Sequence, residues 1–285
     1  MSYPSILYEN ALAVGTLTAT STASGYGVAS LLTRDPWLRW KAGGTGTINL
    51  VVDHTLALAQ AVDTLAITTH NLHECGGTLL VGQSDDNITY TESTILTAPQ
   101  MIGSYGRTLF LDVSGVSGMG SAHRYHRIQF NATTSAVYVG CLALGRRLDL
   151  TEYMVKGFDP LAVDVKMNAP RSRVGSFLPA CVESVKQTVT FVQNKSGMAS
   201  TFYDNATFDK TGVATPNWQQ FNRESWCQGY PFWFAFDHGA QAYRQGWLAW
   251  PKRDDDAVVT LTTPTVSGRR TWKFDFNVYA EMFSQ

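Results

Sequence analysis

Between residues 47 and 144 the chain is a succession of short apolar runs, each cut off by Gly, Ser, Thr or Asn. Thr47–Val52 reads TINLVV, Thr64–Thr69 TLAITT, Thr78–Gly82 TLLVG and Thr108–Val113 TLFLDV. Tyr125–Phe130 (YHRIQF) and Ala136–Leu144 (AVYVGCLAL) complete the series. An amphipathic helix needs apolar positions at 3.6-residue spacing sustained over several turns, and no long segment here has it. β-Branched residues with period-two patterning, bounded by turn residues, specify strands, and their spacing predicts an antiparallel sandwich.

The second half repeats the signature. Glu183–Val192 (ESVKQTVTFV) alternates polar and apolar along its length. Tyr230–Phe236 (YPFWFAF), Gln245–Trp250 (QGWLAW), Ala257–Thr262 (AVVTLT) and Thr271–Ala280 (TWKFDFNVYA) read as further strands. Thr215-Pro216 is a helix-start signal, which predicts a short helix between Pro216 and Cys227. Thr151–Pro170 carries Gly157, Asp159-Pro160 and Ala169-Pro170 without a sustained pattern. The expected organisation is therefore all-β: a sandwich over residues 1–150, a linker over 151–170 and a second β-rich domain over 171–285.

Composition narrows the function classes. Of 285 residues, 44% are hydrophobic and 16% charged, the balance of a folded, core-rich protein. A net charge of −1 gives no bulk attraction to nucleic acid or to an anionic membrane, so neither is an expected partner. No apolar run reaches the length of a membrane span. The start, MSYPSILYENALAVG, has no basic segment before an apolar one, and Glu9 and Asn10 interrupt it, so no signal peptide is expected. Cys75, Cys141, Cys181 and Cys227 are scattered and form no CxxC pair. That pattern disfavours zinc and thioredoxin-type sites and predicts buried thiols in a reducing compartment.

The residues that resemble catalytic or metal groups lack the spacing those sites need. His70 and His73 lie in an expected inter-strand loop. His123 and His126 are three apart at a strand start, so they face opposite ways. Asp237-His238 has no partner nucleophile motif, and Arg253-Asp254-Asp255-Asp256 lacks the calcium-loop spacing. Gly43–Gly46 precedes a strand, not a phosphate-binding helix. No catalytic residue, metal or cofactor is expected.

Three segments in this order, SGYGVASLLTRDPWLRWKA (Ser24–Ala42), VGQSDDNITYTE (Val81–Glu92) and RYHRIQF (Arg124–Phe130), resemble the discoidin or galactose-binding-like β-sandwich. The resemblance implies a binding and assembly module, with Trp40 packed in the core at a strand start and Arg127 structural in the Arg-Tyr-x-Arg-Ile strand. The chain departs from the pattern in places. Asn87 stands where the family usually has Gly, though Asn tolerates the left-handed backbone such a turn needs. Asp53-His54-Thr55 stands where Asp-Leu-Gly is usual, and no Cys precedes Cys75 to close the module with a disulfide. The Leu32–Pro36 loop, which precedes the strand of Trp40, carries one carboxylate, too few for the calcium that some members bind there.

The LGRRLDL junction and the PRSRVGSFLPACVESVKQTVTF, YPFWFAF, GWLAW and WKFDFNVYAE segments are similar to structural proteins of tailed bacteriophages. That resemblance implies a tail or baseplate component of the virion, assembled in the host cytoplasm with other tail proteins. It also implies a homo-oligomeric ring, hexameric by preference and trimeric next. Six of the eight Trp follow residue 217, and YPFWFAF carries no charge to protect a sheet edge. Phe232, Trp233 and the basic pairs Arg146-Arg147 and Arg269-Arg270 are the candidate assembly surface. The alternative is a carbohydrate-binding adhesin for host glycans, with loop residues Tyr26, His73 and Tyr105 as candidate contacts. An enzyme with a sandwich accessory module is a third class, but Asp204, Asp209 and Glu224 are too sparse to form its carboxylate cluster.

Overall fold

The computed structural model describes residues 4–55, 58–102, 108–149, 164–168, 181–193, 218–235, 245–251, 260–261 and 270–278. In the first half the strands are β1 (Ser5–Leu7), β2 (Thr16–Ala19), β3 (Trp40–Lys41), β4 (Gly46–Asp53), β5 (Thr64–His70), β6 (Gly77–Ser84), β7 (Thr91–Leu96), β8 (Thr108–Asp112), β9 (Tyr125–Ala132), β10 (Tyr138–Gly145) and β11 (Leu148–Asp149). In the second half they are β12 (Asp164–Asn168), β13 (Cys181–Gln193), β14 (Phe232–Ala235), β15 (Gln245–Pro251), β16 (Thr260–Leu261) and β17 (Arg270–Val278). A helical turn over Trp218–Phe221, continued by Asn222–Trp226, fills the place where a short helix is predicted.

One antiparallel sheet has the order β2-β4-β9-β6-β7. Its sequences alternate because only one of its faces meets the core. Ile48, Leu50 and Val52 of β4, Ile128 and Phe130 of β9, and Leu79 and Val81 of β6 are buried on that face. Arg127 lies on the other face, in an ion pair with Glu92 and 3.8 Å from the Tyr90 ring centroid. Trp40 is fully buried opposite Phe130, with ring centroids 6.2 Å apart, as the strand-start position implies. The hairpin after β6 turns at Asn87, whose φ is 60°. Gly77 opens β6 with φ 115°, and a Cβ there would lie 1.8 Å from the Asn131 carbonyl oxygen, so only glycine fits.

The second sheet runs β11-β1-β14-β15-β8-β5-β10-β3, and β17 continues it from β15 to β13, β12 and β16. β5 and β10 are buried on both faces. Leu65, Ile67, Leu142, Leu144, Leu109 and Leu111 face the first sheet. The alternate residues Ala66, Cys141, Ala143 and Phe110 pack instead against Leu7, Trp233, Ala235 and Leu248. Three layers result: the five-stranded sheet, the β3-β10-β5-β8 segment, and the β1-β14-β15 strands folded over its back.

This arrangement corrects several expectations. Phe232 and Trp233 are not an assembly surface; both are fully buried. β14 is not an open edge, because β1 and β15 flank it. Part of the aromatic surplus of the second half is core: Phe221 packs on Tyr8, Trp226 and Phe232 at centroid distances of 5.4, 6.2 and 5.0 Å. Asp164–Asn168, expected in a linker, forms β12 and pairs with β13. Strands from both sides of residues 151–170 share one sheet, since β14 pairs with β1 and β15 with β8. Cys75 and Cys141 are buried, but Cys227 is exposed.

Trp233 carries the contact between the two halves. It sits on the small residues of β5 and β10, and its Nε1–H donates to Thr68 Oγ1 at 2.9 Å. Trp233→Ala is expected to cost roughly 3–5 kcal/mol, from lost burial plus the cavity it leaves. Trp233→Phe keeps most of the burial and loses the hydrogen bond, for about 1 kcal/mol. Chemical denaturation of the variants measures both.

Candidate functional site

The register decides which loops share an end of the sandwich. β5 finishes at His70 opposite Val139, and Tyr138 pairs with Lys41 of β3. β9 finishes at Ala132, opposite Gly46 and Gly77. The segments 20–28, 42–45, 71–76 and 133–137 therefore gather at one end, while 33–39 enters β3 from its opposite side and rests on β10 at Gly140, two residues in from Tyr138. Segments 54–63, 85–90 and 113–124 gather at the other, where Tyr125 faces Asp53 and Ser84.

Exposed aromatic groups sit on anchored loops at the first end and beside it on β10. Trp37 is 64% exposed, Leu38 50% and Tyr26 44%. The Trp37 loop is fixed from within. Asp35 Oδ1 accepts the Trp37 backbone N–H at 3.0 Å, a local turn that explains an exposed Trp just after Asp-Pro. Arg34 adopts φ 56°, which costs a non-glycine residue roughly 1–2 kcal/mol. Its guanidinium offsets that by donating to Pro231 O at 2.7 Å and to Tyr8 O at 2.8 Å. Burial lowers the Arg34 pKa from its usual value. The loop also lies directly on β10: a Cβ on Gly140 would sit 2.7 Å from Pro36 O. The Tyr26 loop is tied to β3, through Ala23 N–H to Lys41 O at 2.8 Å and Trp40 Nε1–H to Thr22 Oγ1 at 3.2 Å.

Polar groups adjoin these rings. The Arg39 guanidinium lies 5.0 Å from the Tyr138 ring centroid. Asn71 Oδ1 accepts the Tyr138 N–H at 2.8 Å, and its Nδ2 donates to Ala136 O at 2.9 Å. This joins Tyr138 to the helical turn Leu72–Cys75, where a plain loop is expected, and which carries His73. His73 Nε2 lies 3.5 Å from Glu74 Oε1. Cys75, beneath, has its thiol pushed up to about 12 by burial, which leaves it an inert core group.

Of the glycan candidates, Tyr26 and His73 thus fall at the same end, and Tyr105 lies outside the described residues. Trp37 is an exposed ring that sequence reasoning passed over; the Asp35-Pro36 turn signal before it was the available clue. The assembly candidates do not converge. Arg147 is committed within the chain, with Asp112 at 3.2 Å, Asp149 at 3.0 Å and its own N–H on Asp63 Oδ1 at 2.9 Å. Arg146 is half-buried, the Arg270 backbone pairs with Gln193, and Arg269 lies outside the described residues.

The opposite end is dominated by internal charge pairing. Asp53 accepts from Arg124 Nε and Nη2 at 2.8 and 2.9 Å, which holds its pKa at about 2. Asp86 Oδ1 accepts the Ile88 and Thr89 N–H groups, which likewise lowers its pKa to about 2. His123 Nδ1 is 3.1 Å from Asp85 Oδ1. His126 turns the other way, its Nδ1 3.1 Å from His54 Nε2. Burial lowers His54 to about 4 and His126 to about 3. Among the described residues no three His, Cys, Asp or Glu converge as a metal site.

No protein-family model matches the chain, and no curated protein matches it either. Several solved carbohydrate-binding modules are similar to it. The lectin domain of lectinolysin complexed with Lewis b antigen has 11% identity and a TM-score of 0.36, over 49% of this chain and 98% of that one. A chitosan-binding module from Paenibacillus sp. IK-5 has 17% identity and a TM-score of 0.36, over 48% and 98%. A Streptococcus pneumoniae fucose-binding module has 10% identity and a TM-score of 0.36, over 48% and 94%. These likenesses are too loose to place a residue, and the sandwich is established by the strand register itself.

Two outcomes test this geometry. Gly140→Ala is expected to displace the Trp37 loop and raise acrylamide quenching of tryptophan fluorescence, with a smaller effect on global stability than Trp233→Ala. Stability is also expected to fall with acid in two windows. Below pH 6.5 the unfolded chain protonates His54 and His126 while the folded chain resists to about 4 and about 3. The stability of that pair is therefore complete above pH 6.5 and lost as pH falls through about 4 and about 3, by a few kcal/mol in order of magnitude. The depressed carboxyl groups of Asp53 and Asp86 add a further loss between 3.8 and about 2. A His54→Gln/His126→Gln variant should flatten the upper window and leave the lower one, as measured by denaturation across pH.

Proposed function

We propose that the sandwich is a carbohydrate-binding module whose ligand surface is the end bearing Tyr26, Trp37, Arg39 and His73. The observation that carries this reading is the Trp37 indole, 64% exposed on a loop held by Asp35, Arg34 and Gly140. A large apolar ring held out in water costs solvation free energy without contributing to a core. Its use is as a rigid stacking face for an amphipathic partner, and the apolar face of a sugar ring is one. Arg39, Asp35 and His73 supply hydrogen-bonding groups for hydroxyls at the same end. The galactose-binding-like segments of the sequence support the same conclusion, with host-surface glycans as the ligand class.

A tail or baseplate location in a phage virion is a second, compatible proposal, supported by the sequence of the LGRRLDL junction and the strands that follow it. An adhesin on a virion would join both readings. Mass spectrometry of purified virions tests the location, and absence of the chain from them removes it.

A glycan microarray tests the binding. The wild-type chain is expected to give selective signals that Trp37→Ala lowers about tenfold or more at unchanged thermal stability. Equal signals from the two proteins would overturn the assignment.

A further inference from the structure

The five-stranded sheet ends in two edge strands, β2 and β7. β2 is four residues long, and the 3-10 helices Ala11–Ala13 and Val28–Leu32 stand against it. A short edge with other elements beside it gives a second chain little to pair with. β7 is six residues long and pairs with β6 alone, so its outer row of backbone N–H and C=O groups has no partner among the described residues. Thr91, Ser93 and Thr94 are exposed. The shift in register lies at Leu79–Leu80, near the Leu96 end, and leaves Thr91–Thr94 in regular antiparallel pairing. No Pro or Lys interrupts the strand. Its one charge, on Glu92, does not guard the edge. Arg127 of β9 reaches over Gly82 of β6 to pair with it, at a place where a Cβ on Gly82 would lie 2.7 Å from Glu92 Cβ.

We propose that β7 is a self-association edge, pairing antiparallel with β7 of a second copy about a two-fold axis through Ser93. The strand's own chemistry selects this occupant. Specific capture of a foreign extended peptide relies on pockets for its alternate side chains, and Thr91, Ser93 and Thr94 are too short to wall them. A free peptide also loses conformational freedom on pairing, whereas a second β7 is already extended in a sheet. About this axis Glu92 of each copy lies opposite Thr94 of the other, and Thr91 opposite Ile95. The two carboxylates therefore do not face each other, and each is already balanced by its own Arg127. Few apolar side chains join the contact, so main-chain hydrogen bonds carry it and the dimer dissociates on dilution. A two-fold contact closes on itself, unlike the ring that the phage resemblance implies. The dimer is independent of the carbohydrate reading.

Sedimentation velocity of the full chain from dilute to concentrated solution tests this, with amide hydrogen exchange measured at both extremes. The expected result is a monomer–dimer equilibrium in which the amides of Thr91–Leu96 gain protection in the dimer and those of Thr16–Ala19 do not. Ser93→Lys sets two ammonium groups directly opposite across the axis and should weaken association about tenfold or more. Thr18→Lys, on the exposed side of β2, should leave association unchanged. Thermal melting checks that each variant is folded. A monomer at every concentration overturns the proposal, as does a dimer in which exchange along β7 is unaltered. Ser93→Lys associating like wild type, or Thr18→Lys weakening association as much, also overturns it. A growing series of oligomers in place of a dimer excludes the two-fold pairing.

Discussion

The indole of Trp233, seated on the back of β5 and β10, is the contact on which the remaining architecture depends. Ala66, Cys141 and Ala143 are small enough to leave a shallow depression between strands, and Thr68 supplies the one acceptor that a buried indole N–H needs. Without that layer the outer face of β5-β10 would be an apolar surface in water. With it, β5 and β10 become interior strands buried on both faces, and β1 is held between β14 and β11. The two halves of the chain therefore share one core and one sheet.

The candidate ligand surface is a consequence of this third layer. Once β14 is docked, Pro231 and Tyr8 present carbonyl groups to Arg34, and the guanidinium fixes a loop that its own sequence leaves free to move. Gly140 permits the loop to rest on β10 at van der Waals distance. The exposed rings are thus attached to a scaffold that loses little freedom when a ligand arrives, which lowers the entropic cost of binding.

The opposite end shows the contrasting use of polar groups. There Asp53 with Arg124, Asp85 with His123 and Asp86 with its turn amides pair with one another. In the buried His54–His126 contact one ring nitrogen donates to the other, and each ring keeps one unpartnered nitrogen. Neutral imidazoles tolerate that arrangement, and a buried imidazolium does not. Charge at this end secures the hairpin and the cover of the sandwich.

The sequence by itself determined the local structure. Alternation in TINLVV and YHRIQF fixed the one-sided sheet, because a period of two places every second residue in the core. The run AVYVGCLAL marks a strand but not its burial on both faces, and Trp40 and Asn87 take their places from the resemblance to the galactose-binding-like sandwich. Tyr26 and His73 could be assigned to loops, but whether those loops meet depends on register across strands distant in sequence. Only the tertiary structure decided that Phe232–Ala235 is interior, that Arg147 is consumed by Asp112 and Asp149, and that Arg34 joins its loop to Pro231 and Tyr8. The physical reason is common to all three: an aromatic or charged side chain has the same sequence signature at a surface or in a core. The partners that separate the two cases lie up to 197 positions away, as between Arg34 and Pro231.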